Sequence, residues 1–336
     1  GTGILLKATG NIEVSAGASS SSKTTIAVTG TNSTAPITFL GNADAASTGA
    51  ILLNNNVDVS TVAGAIKMGG ATASSDTTPT TFAITSTGST AGVQLGTSNG
   101  ASLNNVRILS TSGDVTLMGK GTGANGWGIL AYAGLKIDSG TGRISLNGWQ
   151  TSTGNGIDIE STSAIQSIIT SAATSNATPA IAMQGKCDDA TTGAGQRGLY
   201  FTLAGTTVSA TGGGNITFTG DNVAVASTNP GSIYMPGVDV LASGGTIKID
   251  SLSDGVVLST SGYTSDFGAI SGGTSAAAVN IIGDKVISAG TANVKTTGAV
   301  SIESSGANFS SISLANINID SGASSIRIRS EEHTSE

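Results

Sequence analysis

Short apolar pairs two residues apart recur along the chain, most enclosing one polar or amphipathic residue, and the pairs come in threes. Gly231 to Ser251 is the clearest stretch, with Ile233/Met235, Val238/Val240 and Ile247/Ile249. A period of two is the signature of a strand with one face buried. Pro236-Gly237 separates the first two pairs and Ser243-Gly244-Gly245 precedes the third, so the connections are corners rather than helices. Three short strands with their corners make one coil.

The same grammar returns in Ile51/Leu53, Val57/Val59, Ile66/Met68 and in Ile312/Leu314, Ile317/Ile319, Ile326/Ile328. Between them lie Val93/Leu95, Val106/Ile108, Val115/Leu117 and then Ile129, Leu135/Ile137, Ile144/Leu146. From second pair to third the step is nine residues in all of these. A constant step implies a fixed corner, rich in Ser and Gly, while the other corners take insertions. Coil starts fall 28, 36 and 42 residues apart (Ile129 to Ile157, Val93 to Ile129, Ile51 to Val93), and the long coils hold an extra strand such as Phe82/Ile84.

This pattern predicts an all-β fold: a right-handed parallel β-helix, or β-solenoid, of about ten to twelve coils of mostly three short strands, roughly 50 Å long at ~4.8 Å per stacked strand. Val, Ile, Leu and Met fill the interior, and Asp58, Lys67, Lys136, Asp158, Asp239 and Lys248 face outward between apolar pairs. Asp138, Asp250 and Asp320 follow equivalent isoleucines and read as strand-ending turn residues. The pairs fade in Ser161 to Gly198 and Gly262 to Ala278, which read as loops or irregular turns.

Composition narrows the reading. With 49 Gly, 10% charged and 4% aromatic residues the chain resembles low-complexity disorder, but the regular branched pairs argue against it. The even texture and only 5 Pro predict one unit over residues 1–328, cut at both ends, with no starting Met or signal peptide. From Arg329 the chain reads RSEEHTSE, which resembles a translated sequencing adapter, so residues 329–336 are expected to be a non-native tail. A net charge of -7 with scattered basic residues speaks against nucleic acid as a partner. No apolar run approaches the ~20 residues of a spanning helix, so membrane insertion is not expected.

Candidate chemistry is sparse. The lone Cys187 rules out an internal disulfide framework, and no cofactor or metal is expected. The only histidine lies in the suspect tail, which removes a Ser-His-Asp arrangement, and no phosphate-cradling or calcium-repeat motif occurs. The doublet Asp188-Asp189, in GKCDDATTGAGQRG, reads either as a cation or ligand loop or, more plainly, as a solvated excursion. Asn125-Gly126-Trp127 and Asn147-Gly148-Trp149 place two indoles in successive coils where they could meet on one edge and stack on sugar rings; shielding of a corner is the plainer reading.

The glycine-strand phrases GNIEVSA (Gly10 to Ala16), GDVTLMG (Gly113 to Gly119), GRISLNG (Gly142 to Gly148), GNITFTG (Gly214 to Gly220), GTIKIDS (Gly245 to Ser251) and GAVSIES (Gly298 to Ser304) resemble those of filamentous haemagglutinin-like large exoproteins, and related phrases occur in autotransporter passengers. The resemblance implies a bacterial protein, secreted or at the cell surface outside the outer membrane and exported through a partner pore. It further implies a non-catalytic adhesin stalk contacting host or neighbouring-cell glycans or proteins. It carries over no catalytic residue. Two other uses stay open: a β-helix polysaccharide lyase or glycosidase, which needs clustered carboxylates on one face, and the delivery rod of a contact-dependent toxin.

Overall fold

The computed structural model describes residues 3–16, 22–44, 48–85, 90–97, 106–123, 126–188, 196–202, 205–222, 231–269, 275–304 and 311–329. Every pairing between its strands is parallel, and each strand pairs with its counterpart in the next coil, forming a right-handed β-solenoid with three faces. The first face is a path of eleven strands, from Ile4–Lys7 through Val115–Gly121, Ile144–Gln150, Ile181–Cys187 and Ile216–Asn222 to Ile326–Arg329. The second holds shorter strands, among them Trp127–Ala131, Ile157–Ile159, Leu199–Phe201 and Ile233–Tyr234. The third includes Val57–Thr61, Val106–Ser110, Leu135–Asp138 and Val238–Ala242.

Stacking keeps like residues in register, which explains how a narrow coil makes a core. Ile144 pairs with Ile181, Ile181 with Ile216 and Ile216 with Ile247, all buried; Ile137 pairs with Ile169 and Ile169 with Val208 in the same way. No coil buries its apolar pairs alone, so each borrows its neighbours' surface. Buried aromatics thicken the core locally, as where Phe201 meets Phe218 edge to face at 6.0 Å.

The nine-residue corner joins the third face to the first. A hydroxyl closing the third-face strand caps a glycine three residues on: Thr61 and Ser139 donate to the Gly64 and Gly142 carbonyls, and Ser110 Oγ accepts from the Gly113 N–H. The reverse side of this corner carries the Asx turns in which Asp138 and Asp320 accept from the N–H of Gly140 and Gly322. Asp250 differs. Ile249 lies on the first face, not the third, and Asp250 pairs with Lys248 at 2.6 Å instead.

Two stretches expected to be loops contain regular coil. Ser167–Ser171 and Ile181–Cys187 fall inside Ser161 to Gly198, and Thr264–Gly268 inside Gly262 to Ala278. In Ser167–Ser171 and Thr264–Gly268 the periodicity is faint because buried Ser167, Ser171 and Ser265 take inward positions beside single apolar residues, whereas Ile181/Met183 is a regular buried pair. Near the other end, Lys285–Lys295 and Ser311–Asp320 run unbroken from second face to third, so the expected separate strands Ile312/Leu314 and Ile317/Ile319 are one strand with a register shift at its bend.

The first and second faces meet backbone to backbone. Gly119, Gly148, Gly185 and Gly220 stack in register on the inward side of the first face. A Cβ on Gly148 would lie 2.1 Å from the Gly156 carbonyl oxygen, and one on Gly185 would lie 2.0 Å from that of Gly198. Only glycine permits this approach, and it squeezes the solenoid to a thin edge. The extra strand Ala83–Ile84 obeys the same limit: Ala83, paired with Gly119, points inward, while Phe82 and Ile84 are half-buried rather than forming the interior pair.

Candidate functional site

The thin edge collects most of the chain's chemical variety. Both tryptophans flank it but do not meet. Trp149 lies between inward-facing Gly148 and Gln150 and therefore leaves the first face; Trp127 precedes inward-facing Gly128 and leaves the second. The two indoles point to opposite sides of a two-layer wall.

On the first-face side, Trp149 is held by neighbours in the stacked coils. Lys120 Nζ lies 3.8 Å from its ring centroid and Lys186 Nζ 5.5 Å, Phe82 meets it edge to face at 6.0 Å, and its Nε1–H donates to Asp188 Oδ2 at 2.6 Å. Asp188 also pairs with Lys186 at 3.0 Å. Its carboxylate thus anchors the indole and a lysine; Asp189 lies outside the described residues. Cys187 is fully buried on the inward side, paired between Gln150 and Asn222.

On the second-face side, the outward row reads Leu130, Asp158, Tyr200, Tyr234, Val257 through five stacked strands. Tyr200 and Tyr234 stack at 5.3 Å, and the Arg197 guanidinium lies 4.1 Å from the Tyr234 ring while Nη1 donates to the Gly231 carbonyl at 2.9 Å. Arg197 is 6% exposed, and burial lowers its pKa from the ordinary arginine value. Asp158 departs most from expectation: it leaves the face as the alternation requires, yet is only 4% exposed. Asn155 donates to its Oδ2 at 2.9 Å, while Oδ1 and the Trp127 Nε1 are buried without hydrogen-bond partners.

Burial foremost, then the Glu160 charge, pushes the Asp158 carboxyl up to about 7, against the opposing effects of Asn155 and the Trp127 indole. Burial also raises the Tyr132 and Tyr200 phenols, with Asp158 and Glu160 adding to both. Such a group suits holding structure or exchanging a proton.

A second acidic feature lies on the third face, where Asp239, Asp266, Asn293 and Asn318 stack in register. Asn318 donates to Asn293 and Asn293 to Asp266, each at 2.8 Å. Partial burial and the adjoining Asp266 push the Asp239 carboxyl up to about 6. Of the other outward positions, Asp58 bridges neighbouring coils, pairing with Lys23 at 2.5 Å and Arg107 at 3.3 Å.

Sequence reasoning placed Asp158 correctly on the outside but missed its burial; it missed Tyr200 and Tyr234, and it grouped Arg197 with the Asp188-Asp189 run rather than with them. Tyr200 and Tyr234 each sit at the centre of an apolar pair, so aligning those coils would have exposed the row. Arg197 carries no such signal. Among the described residues no group of three or more His, Cys, Asp and Glu could hold a metal ion, and no helix is long and apolar enough to cross a membrane. Neither protein-family models, nor curated proteins, nor solved structures match this chain.

Proposed function

We propose that this chain is a non-catalytic rod segment of a large secreted bacterial surface protein of the filamentous haemagglutinin-like type, an adhesin stalk. The supporting observation is the unbroken in-register stacking of the first face through eleven strands, which makes a rod of roughly 50 Å with a continuous core. Export through an outer-membrane pore and contact with a host or neighbouring-cell glycan or protein belong to the same reading, as does the alternative use as a toxin's delivery rod. Displaying one or two copies in tandem between a cell-surface anchor and an epitope tests it. The epitope should rise by roughly 50 Å per copy, and cells bearing the rod should gain attachment. No gain in height or attachment would refute the stalk.

One observation favours the enzymatic alternative: Asp158 and Glu160 lie two apart on the same side of one segment, with half-buried tyrosines alongside. Turnover of an acidic or neutral polysaccharide that vanishes in Asp158→Asn or Glu160→Gln would put that reading first. Glycan contact by Trp127 and Trp149 is tested separately on a glycan array. Since the indoles face opposite ways, each single alanine variant should act independently, and unchanged binding in the double variant would remove both.

A further inference from the structure

We infer that Asp158 is a proton-controlled latch on the corners that join the first and second faces. Asn155 is the clip: its Nδ2 donates to Asp158 Oδ2 and its Oδ1 accepts from the backbone N–H of Arg197, both at 2.9 Å. Arg197 carries the tie onward to the Gly231 carbonyl, and the Gly231 N–H donates to Asp254 Oδ2 at 3.2 Å. One carboxyl therefore seats a relay running through successive corners along the thin edge.

That seat suits a neutral acid. Facing Asp158 are Glu160 from its own segment, Trp127 and Tyr132 from the preceding coil, Asn155 from the corner and Tyr200 from the next coil, with Tyr234 and the Arg197 cation beyond. A carboxylate there would have the hydrogen bond from Asn155 and, outside hydrogen-bond geometry, the nearby Trp127 indole, with a second acid beside it. A buried anion so poorly paired is relieved by turning toward water. Turning removes the seat of Asn155, and the Arg197 N–H then loses its bond to Asn155 Oδ1. The folded-state pKa is raised from 3.8 to about 7, so the closed arrangement is fully favoured below the lower value and weakens as pH rises through the upper one. The edge is closed in mildly acidic surroundings and loosens above neutrality.

Two readouts on the full chain test this. Trp127 fluorescence, isolated by Trp149→Phe, should titrate with a midpoint near 7, and Asp158→Asn should abolish that titration. Hydrogen exchange, corrected for its intrinsic pH dependence, should show protection of the Gly156 and Arg197 amides falling at least tenfold between about pH 5.5 and 8.5, with no fall in Asp158→Asn. Glu160→Gln removes the neighbouring charge, so the midpoint should move down; this variant decides the matter even if Asp158→Asn does not fold. A flat wild-type titration, a midpoint indifferent to Glu160→Gln, or a titration surviving in Asp158→Asn overturns the latch.

Discussion

Gly148→Ala tests the thin edge directly. The added methyl would sit 2.1 Å from the Gly156 carbonyl oxygen and 2.6 Å from Ile157 Cγ1. Relief requires the two layers to part by about 1 Å, in a core packed as tightly as an organic crystal. Gly148 has no positive φ, so alanine meets no backbone strain and the cost is one of contact alone. Overpacking of this kind costs roughly 1–3 kcal/mol, while reduced freedom of the unfolded chain returns about 0.4–1 kcal/mol. The net expectation is a loss of about 1 kcal/mol. Gly10→Ala is the control, since nothing lies within 4 Å of its Cβ. Urea unfolding followed by circular dichroism compares the two, with hydrogen exchange locating the loss at Gly148 and its stacked neighbours. If Gly148→Ala proved as stable as Gly10→Ala, the close-approach account of the glycine column would be wrong.

Other expectations concern polar contacts. Asp239 has a folded-state pKa raised from 3.8 to about 6, so the wild type should lose stability as pH rises between these values, and Asp239→Asn should flatten that slope in urea midpoints at fixed salt. Arg197→Met keeps the stem but loses the bond to Gly231 and the cation over Tyr234, and should cost about 2 kcal/mol in thermal or urea unfolding. Ser139 and Ser171 both donate to the Gly142 carbonyl at 2.7 Å. A double-mutant cycle to alanine should show each single loss at about 1 kcal/mol or less and the pair exceeding their sum, because only the pair strips the carbonyl of both hydroxyl donors.

Much of this architecture was legible because stacking makes local pattern and global position the same thing. An apolar pair such as Ile247/Ile249 faces inward whatever surrounds it, and the nine-residue step from Val57 to Ile66 or Leu135 to Ile144 follows from a Ser/Thr–Gly cap closed within a few residues. Strand period, corner chemistry and the coil itself are therefore set by near neighbours in sequence. What tertiary structure decided lies between coils. The polar inward residues of Ser167–Ser171 hide a strand whose place is secured only by partners in adjacent coils. The opposed directions of Trp127 and Trp149 depend on two layers meeting at glycine. The burial of Asp158 arises where Trp127 and Tyr200, distant from it in the chain, close with the nearby Asn155 over one carboxyl. Alternation can say that a side chain leaves the sheet; whether water waits for it is set by groups that sequence distance conceals.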